Sequence, residues 1–317
     1  MNILVTGGAG FIGSNLVKEL LKNGHIVVAI DNFNNYYDSD YKHKNIQDIK
    51  SDAFKIFNAD INKPTGLRQI VKNYHFNKII HLAACVGVRN SLVDPNLYIK
   101  TNIEGTVNIL EMAKELKIRD IVFASSSSVY GNDSSVLSNE NDPCLKPLNP
   151  YAMSKRSAEL LCYVYHQLYG LNITVLRFFT VYGPCGRPDM SPYIFTESLL
   201  TNKPINVNGD GSATRDFTYI KDIVNGILLS INTSFPYEII NLGSSNPISV
   251  VEFIKVLEKI TGKIGDIQFG NKIEGESQNT YADITKAKKL FGFNPTTSLE
   301  DGMTEFVNWY RNNRLLS

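Results

Sequence analysis

The segment NPYAMSK at residues 149–155 sets a phenol and an ammonium one helical turn apart. Tyr151 and Lys155 therefore project from the same face of any helix that begins near Pro150. A free tyrosine ionises near pH ~10, so only about one in a thousand is the phenolate at neutral pH; a neighbouring ammonium favours the anion and makes the pair a candidate general base. The same spacing also describes an ordinary amphipathic helix surface. Context separates the two readings. The run DIVFASSSSVYG at 120–131 ends an apolar strand pattern in four hydroxyls, Ser125–Ser128, and ligands of open α/β sheets sit at the carboxyl ends of the strands. One of these hydroxyls can hydrogen-bond the oxygen that Tyr151 deprotonates.

A second chemistry-bearing stretch is TGGAGFIG, residues 6–13, which follows the apolar run NILVT and opens an amphipathic helix. Gly7, Gly10 and Gly13, with Phe11 and Ile12 in the same turn, permit a tight bend and let a pyrophosphate approach the N–H groups at a helix N-terminus. Asp31 closes the next strand pattern, where a carboxylate accepts the hydroxyls of an adenosine ribose. The same charge repels a 2′-phosphate, and neither Asn32 nor Phe33 supplies an arginine to bind one, so NAD is expected rather than NADP. Asp60, with Ile61 beside it, ends a third strand pattern within reach of the adenine. Leu82, Ala83 and Ala84, after a fourth, pass close under the cofactor. An oxidised nicotinamide would further favour the Tyr151 anion.

The elements that must position these groups are legible from periodicity. NILVT, HIVVAID, FKIFNAD, KIIHLAA, DIVFASS and ITVLRFF alternate with helical patterns, including helices near 64–74 and 96–117 and one from Pro150 to a Gly170 cap. Six strands so arranged predict an α/β fold, a Rossmann-type doubly wound parallel sheet. Past about residue 180 the connections lengthen and Gly and Pro increase. The expected organisation is a NAD-binding domain over 1–178 and a smaller C-terminal α/β substrate domain over 179–317, with some of its segments returning to the sheet. Residues 132–150 read as an ordered surface loop.

Composition excludes several classes. The 317 residues are 43% hydrophobic, enough for a sizeable core, and carry a net charge of +1 with no basic stripe, which argues against nucleic acid. No apolar run has membrane-spanning length and no targeting segment is recognisable, so a cytoplasmic protein without membrane attachment is expected. The four cysteines form no CxxC pair, which fits a reducing compartment, and the five histidines show no ligand spacing, so no metal site is expected.

GGAGFIG, SSSSVYG, YAMSK and RDFTYIKDI resemble the extended short-chain dehydrogenase/reductase superfamily, in its nucleotide-sugar branch, over essentially the whole chain. The resemblance implies that Tyr151 is the base and that Lys155 is its electrostatic partner, both against the cofactor. Matched to UDP-galactose 4-epimerase, the catalytic serine falls on Ser126, with Ser127 the near rival; both would also contact the sugar, as would Tyr151. It implies further that Phe179 and Thr180 lie by nicotinamide and sugar, that Asn102 contacts the cofactor, that Arg215 meets the pyrophosphate of a uridine diphosphate sugar, and that the chain forms a homodimer through the helix carrying Tyr151 and the one before it. Leu160, Leu161, Val164 and Leu168 on that helix are equally readable as core. The related dehydratases and decarboxylases resemble TDEVYG and TSEVYG, with an acid immediately before Val. Here that residue is Ser128, which favours oxidation and re-reduction without elimination.

RFFTVYGPCGRPDM, residues 177–190, resembles the loop of UDP-glucuronate 4-epimerases in which the arginine and the preceding threonine face a C6 carboxylate. Arg187 would then be a bidentate clamp assisted by Thr180. The alternatives are a local ion pair with Asp189 or a second pyrophosphate contact. Oxidation of a hexuronate at C4 gives a β-keto acid that loses carbon dioxide when its C5–C6 bond aligns with the carbonyl, so an anchored carboxylate would also retain that carbon. Cys185 stands where an aromatic is frequent, Ile273 where UDP-galactose epimerases place an arginine, and Glu276 where an Asp is usual. The expected activity is NAD-retaining 4-epimerisation of a UDP-sugar, best fitted by UDP-glucuronate. UDP-N-acetylglucosamine or UDP-glucose are the neighbouring choices, ahead of UDP-glucuronate decarboxylation, a reductase exchanging its cofactor, or a silent NAD-binding module.

Overall fold

The computed structural model describes residues 1–132 and 137–315. The first half alternates strand and helix: β1 (Asn2–Thr6), α1 (Phe11–Lys22), β2 (Ile26–Asp31), α2 (Asp40–Ile46), β3 (Phe54–Asn58), α3 (Pro64–Val71), β4 (Lys78–His81), α4 (Val88–Val93), α5 (Pro95–Tyr98), α6 (Gly105–Glu115), β5 (Asp120–Ser126), α7 (Pro150–Tyr169) and β6 (Asn172–Phe178). The second half adds β7 (Thr180–Tyr182), α8 (Ser191–Thr201), β8 (Ile205–Asn208), β9 (Thr214–Tyr219), α9 (Ile220–Ile231), β10 (Tyr237–Leu242), β11 (Pro247–Ser249), α10 (Val250–Thr261), β12 (Ile267–Gly270), α11 (Thr285–Phe291) and α12 (Leu299–Tyr310).

Seven strands make one parallel Rossmann-type sheet in the order β10-β6-β5-β4-β1-β2-β3. Alternate residues of β1 serve two cores. Ile3 and Val5 belong to the one built with Leu16, Leu20, Ile223 and Ile227 of α1 and α9, and Leu4 to the one built with Ile109, Leu110, Ala158 and Cys162 of α6 and α7. Burial on both faces is why these strands read as continuous apolar runs. The order in which strands are added reverses between β1 and β4, which opens a crevice at their carboxyl ends.

The sequence pattern predicts six of the seven strands. The seventh, β10, comes from the second half and pairs Tyr237–Leu242 with Ile173–Phe178. Its apolar run is broken by Glu238 and Asn241, and Asn241 turns inward because its amide donates to the carbonyls of Ser138 and Asp283, at 2.9 and 3.2 Å. The helix expected over 96–117 is also interrupted: residues Ile99–Glu104 adopt π geometry between α5 and α6, an arrangement that concentrates at functional sites. Of the loop over 132–150, residues 133–136 lie outside those described; beyond them Ser138 bridges Ala282 and Cys144 is buried.

α7 forms as its caps dictate. The Asn149 side chain accepts from the Ala152 N–H, Pro150 sits in the first turn, and Gly170 closes the helix in the left-handed region at φ 65°. One turn below Lys155, Glu159 is fully buried and takes both arms of the Arg177 guanidinium, at 2.9 and 2.8 Å, while Ser125 Oγ donates to it at 2.6 Å. This ties α7 to the ends of β5 and β6. Removing one partner of such a pair leaves an uncompensated buried charge, so Glu159→Gln is expected to cost about 3–5 kcal/mol, read as a lower midpoint in denaturant unfolding; an unchanged midpoint would contradict this assignment.

Smaller sheets cap the carboxyl edge. β7 pairs parallel with β9 and β9 antiparallel with β11, while β8 pairs with β12. Only Phe179 separates β6 from β7, so the Gly183–Met190 loop that follows begins beside the crevice.

Candidate active site

The register of the sheet sets the serines. His81, the last residue of β4, pairs with Phe123 of β5, so Ala124, Ser125 and Ser126 extend beyond β4 into the crevice, still paired to β6 through Ser126 and Phe178. α7 crosses behind this overhang, and Lys155 donates from Nζ to the Ala124 carbonyl at 2.8 Å. Ser126 Oγ lies 3.1 Å from Ser128 Oγ and accepts the Ser128 N–H at 3.1 Å. Ser127 begins the following 3-10 turn, and Ser125 is engaged by Glu159.

The structure brings Tyr151, Ser126 and Arg187 into one electrostatic neighbourhood. Burial pushes the Tyr151 phenol above its usual range; a contact with the Ser126 side chain and the charge of Arg187 pull against burial without reversing it. Burial also brings the Lys155 ammonium down to about 8. The Lys155 ammonium donates to the Ala124 carbonyl, and the cation whose charge opposes the effect of burial on Tyr151 is Arg187. The Tyr151 ring meets Tyr98 edge-on, with centroids 6.1 Å apart. The Tyr98 hydroxyl donates to the carbonyls of Val86 and Gly87, at 2.6 and 3.0 Å, which fixes the wall behind it.

The local ion pair with Asp189 is present. Nε and Nη2 donate to the two oxygens of Asp189 at 2.9 and 2.5 Å. Burial works against the Asp189 carboxylate, but Arg187 and the Tyr36 hydroxyl overcome it and hold its pKa below the usual value. Three of the five N–H groups of the guanidinium remain, on Nη1 and Nη2, and these form a second planar fork. Thr180 stands partly exposed at the start of β7, whereas Phe179 is buried against Tyr130.

At the amino end of the crevice, the glycine loop is packed to its limit. Gly7 has φ 73°, and a Cβ there would stand 2.8 Å from the Ala83 nitrogen; on Gly13 it would stand 2.1 Å from the Gly7 carbonyl oxygen. Leu82 and Ala83 are drawn in by Thr6, whose carbonyl and hydroxyl accept their N–H groups, and Ala84 follows them. α1 starts at Phe11, so the N–H groups of Phe11, Ile12 and Gly13 have no helical partner and lie at the positive end of the helix dipole. Asp31 Oδ2 accepts from Ala9 N–H at 3.2 Å at the far side of this turn. These residues fit a dinucleotide: diphosphate on the turn, adenosine toward Asp31. Asn32 donates to Asp60 at 3.3 Å, Asp60 accepts the Asn62 N–H at 2.8 Å, and the Ile61 carbonyl accepts from Asn108, so this strand end is rigid where the adenine would lie.

Asn102 and Arg215 both make contacts within the protein. The Asn102 amide is wholly engaged inside the protein, accepting from Cys85 N–H at 2.8 Å and donating to the Cys85 carbonyl and Ser154 Oγ at 2.9 Å each. Its place on the π segment fastens the loop after β4 to α7. Arg215 donates to the carbonyls of Thr214 and Gln278, at 2.9 and 3.1 Å, and stands 3.8 Å from Glu276, which also faces Arg89 at 3.5 Å.

Sequence reasoning missed Lys42, Arg89, Tyr36 and Tyr98, all brought in from loops or short helices. Lys42 is buried, with Nζ 3.1 Å from Asp31 Oδ1 and 3.2 Å from Asn34 Oδ1. The carboxylate meant to repel a 2′-phosphate is thus half neutralised by a lysine from α2. Asp31→Asn is expected to move nucleotide preference toward NADP by about tenfold or more, the worth of one charge-assisted hydrogen bond, in calorimetric titration with each dinucleotide; unchanged preference would remove Lys42 from the ribose site.

The chain belongs to the NAD dependent epimerase/dehydratase family, whose model matches residues 3–243. A UDP-glucuronate 4-epimerase from Thermodesulfobacterium geofontis is 45% identical over 98% of this chain and 96% of its own length. The crystal structure of a UDP-glucuronic acid 4-epimerase from Bacillus cereus, in complex with UDP-glucuronic acid and NAD, superposes with a TM-score of 0.91 at 39% identity, covering 98% of this chain and 99% of that one. A UDP-glucose 4-epimerase from Thermotoga maritima, solved with UDP-glucose, also superposes at 0.91, with 31% identity and complete coverage of both chains.

Proposed function

We propose that the protein is an NAD-dependent UDP-sugar 4-epimerase that interconverts UDP-glucuronate and UDP-galacturonate. The observation that carries the substrate choice is Arg187, whose charge reaches Tyr151 while one planar fork of its guanidinium faces away from Asp189. A carboxylate on that fork places its sugar against the base. The similarity to epimerases solved with both UDP-glucuronic acid and NAD supports the same reading.

In this mechanism Tyr151 removes the proton of the sugar 4-hydroxyl, with Ser126 hydrogen-bonded to the same oxygen and Ser127 adjacent. NAD, when bound, would supply the hydride acceptor for C4 and a further positive charge beside the buried phenol. Gly7, Gly10 and Gly13 admit the diphosphate and Asp31 with Lys42 holds the ribose. Thr180 and Arg187 orient the 4-keto sugar, and Arg215 takes the sugar diphosphate. The sugar turns about that diphosphate before the second transfer, so the product is inverted at C4 and the net redox change is zero. Incubating purified protein with UDP-glucuronate and no added nucleotide is expected to give a mixture of the two uronates by NMR. Conversion that appears only with added reductant, or only with neutral UDP-sugars, would overturn this function.

The protein acts as a homodimer in this reading. On α7, Leu160, Val164 and Leu168 are exposed at 51, 44 and 67%, and Val93 at the end of α4 at 84%, whereas Leu161 packs into the core. An i, i+4, i+8 apolar stripe left in water supports an association surface here. Leu168→Asp is expected to yield a monomer in analytical ultracentrifugation; an unchanged sedimentation coefficient would place the interface elsewhere. Among the described residues no helix is long and apolar enough to cross a membrane, and four free buried cysteines fit a reducing, cytoplasmic setting.

A further inference from the structure

The guanidinium of Arg187 is held from its own loop and from one remote segment. In its plane, Asp189 binds Nε and Nη2 at 2.9 and 2.5 Å. Across its face lies the ring of Tyr36, from the loop between β2 and α2, with the guanidinium carbon 5.5 Å from the ring centroid. The two restraints are joined, because the Tyr36 hydroxyl donates to Asp189 Oδ2 at 3.2 Å. Gly87 closes the arrangement from behind: a Cβ there would stand 2.4 Å from the Tyr36 hydroxyl oxygen and 3.7 Å from Arg187 Nη2. The backbone is equally constrained, with Gly183 at φ 137°, Cys185 at φ 65° and the Gly186 N–H bonded to the Gly183 carbonyl at 3.0 Å. Affinity for an anion requires only the charge of Arg187. A lock on the plane of the guanidinium serves something that depends on orientation.

We propose that Asp189 and Tyr36 are positioning residues that fix the plane of Arg187 and, through it, the place of the substrate carboxylate carbon C6 relative to the sugar ring, so that carbon dioxide is retained in the 4-keto state. This rests on UDP-glucuronate being the substrate. In that state the C5–C6 bond can break, its electron pair forming the C4–C5 double bond of an enolate that then takes a proton at C5, while C6 leaves as carbon dioxide. The step requires the C5–C6 bond to stand along the π orbitals of the C4 carbonyl. A planar fork that cannot shift holds the bound carboxylate, and with it C6, in one place, and so denies the ring the pucker that would swing the C5–C6 bond into alignment. Asp189 also carries a negative charge toward the uronate, so it weakens raw attraction. Its benefit is therefore read in product partition rather than in affinity.

The test follows purified holoenzyme on UDP-glucuronate carrying a carbon isotope label at C6, and reads by NMR the ratio of released carbon dioxide to UDP-galacturonate. Asp189→Asn is expected to raise that ratio at least about tenfold over wild type, in line with the sensitivity of reaction rates to small misplacements. Asp189→Glu restores it in part. Tyr36→Phe, which keeps the ring and loses one hydroxyl, moves the ratio in the same direction by less, and serves where the Asp189 variants fold poorly. A purely structural lesion slows both products together and leaves the ratio unchanged. An unchanged ratio in Asp189→Asn and Tyr36→Phe, with normal epimerisation by the wild type, overturns the proposal and leaves the substrate reading standing. A wild type that does not turn over UDP-glucuronate overturns both.

Discussion

Tyr151→Phe is expected to lower kcat for epimerisation by ~10²–10⁴-fold, the usual contribution of a positioned general acid–base, while KM for the UDP-sugar changes little. The substitution removes one oxygen and keeps the ring that meets Tyr98 edge-on at 6.1 Å, so the crevice keeps its wall. The size of the effect follows from the physical situation of the phenol. Burial holds its proton on, and the chain's own opposing influences, the Ser126 side chain and Arg187, do not reverse that. Such a group is a poor base until a further positive charge arrives, which suits an enzyme that must not deprotonate before the oxidant is in place. Steady-state kinetics check this outcome. A Phe variant retaining more than about a tenth of wild-type kcat would move the base elsewhere, to Ser126 or Ser127 acting through solvent.

Arg187→Ala is expected to raise KM for UDP-glucuronate by about 10- to 100-fold, the range of one hydrogen-bonded charge pair, and to release a pentose product that the wild type withholds. KM for a neutral UDP-sugar should change far less, because the interaction removed is with a carboxylate. The two sugars compared in one variant separate this role from a pyrophosphate contact, which would weaken both equally. The arginine is not replaceable by lysine in this reading: Arg187 uses one edge of a rigid fork on Asp189 at 2.9 and 2.5 Å and presents the other, which a point-like ammonium cannot do. Absence of any extra pentose from Arg187→Ala would count against carboxylate anchoring.

What the sequence made legible, and what it did not, divides along sequence separation. The glycine turn, the strand ending in Ser125–Ser128 and the helix carrying Tyr151 and Lys155 are local, and each is written in a contiguous stretch; Asn149, Pro150 and Gly170 fix the ends of α7 by capping alone. The strands are legible because burial on both faces leaves them apolar throughout. β10 is not, since Asn241 in its middle is stabilised by hydrogen bonds to Ser138 and Asp283. The cation beside Asp31 and the tyrosine across Arg187 are equally hidden. Lys42 and Tyr36 sit in a polar, tyrosine-rich stretch with no periodicity, and their partners are fixed only by the way the loop after β2 folds over the crevice. Asn102 shows the converse: an asparagine in a helical pattern reads as solvated, yet the π segment turns it inward to pin Cys85 and Ser154.

The claim that everything else depends on is a hydride that leaves C4 and comes back to it without meeting water. UDP-glucuronate bearing deuterium at C4, turned over in ordinary water with no added nucleotide, tests this directly. The expected result is UDP-galacturonate that keeps its deuterium at C4, with none lost to solvent. Loss of the label to water, or exchange at C5 in its place, would contradict it.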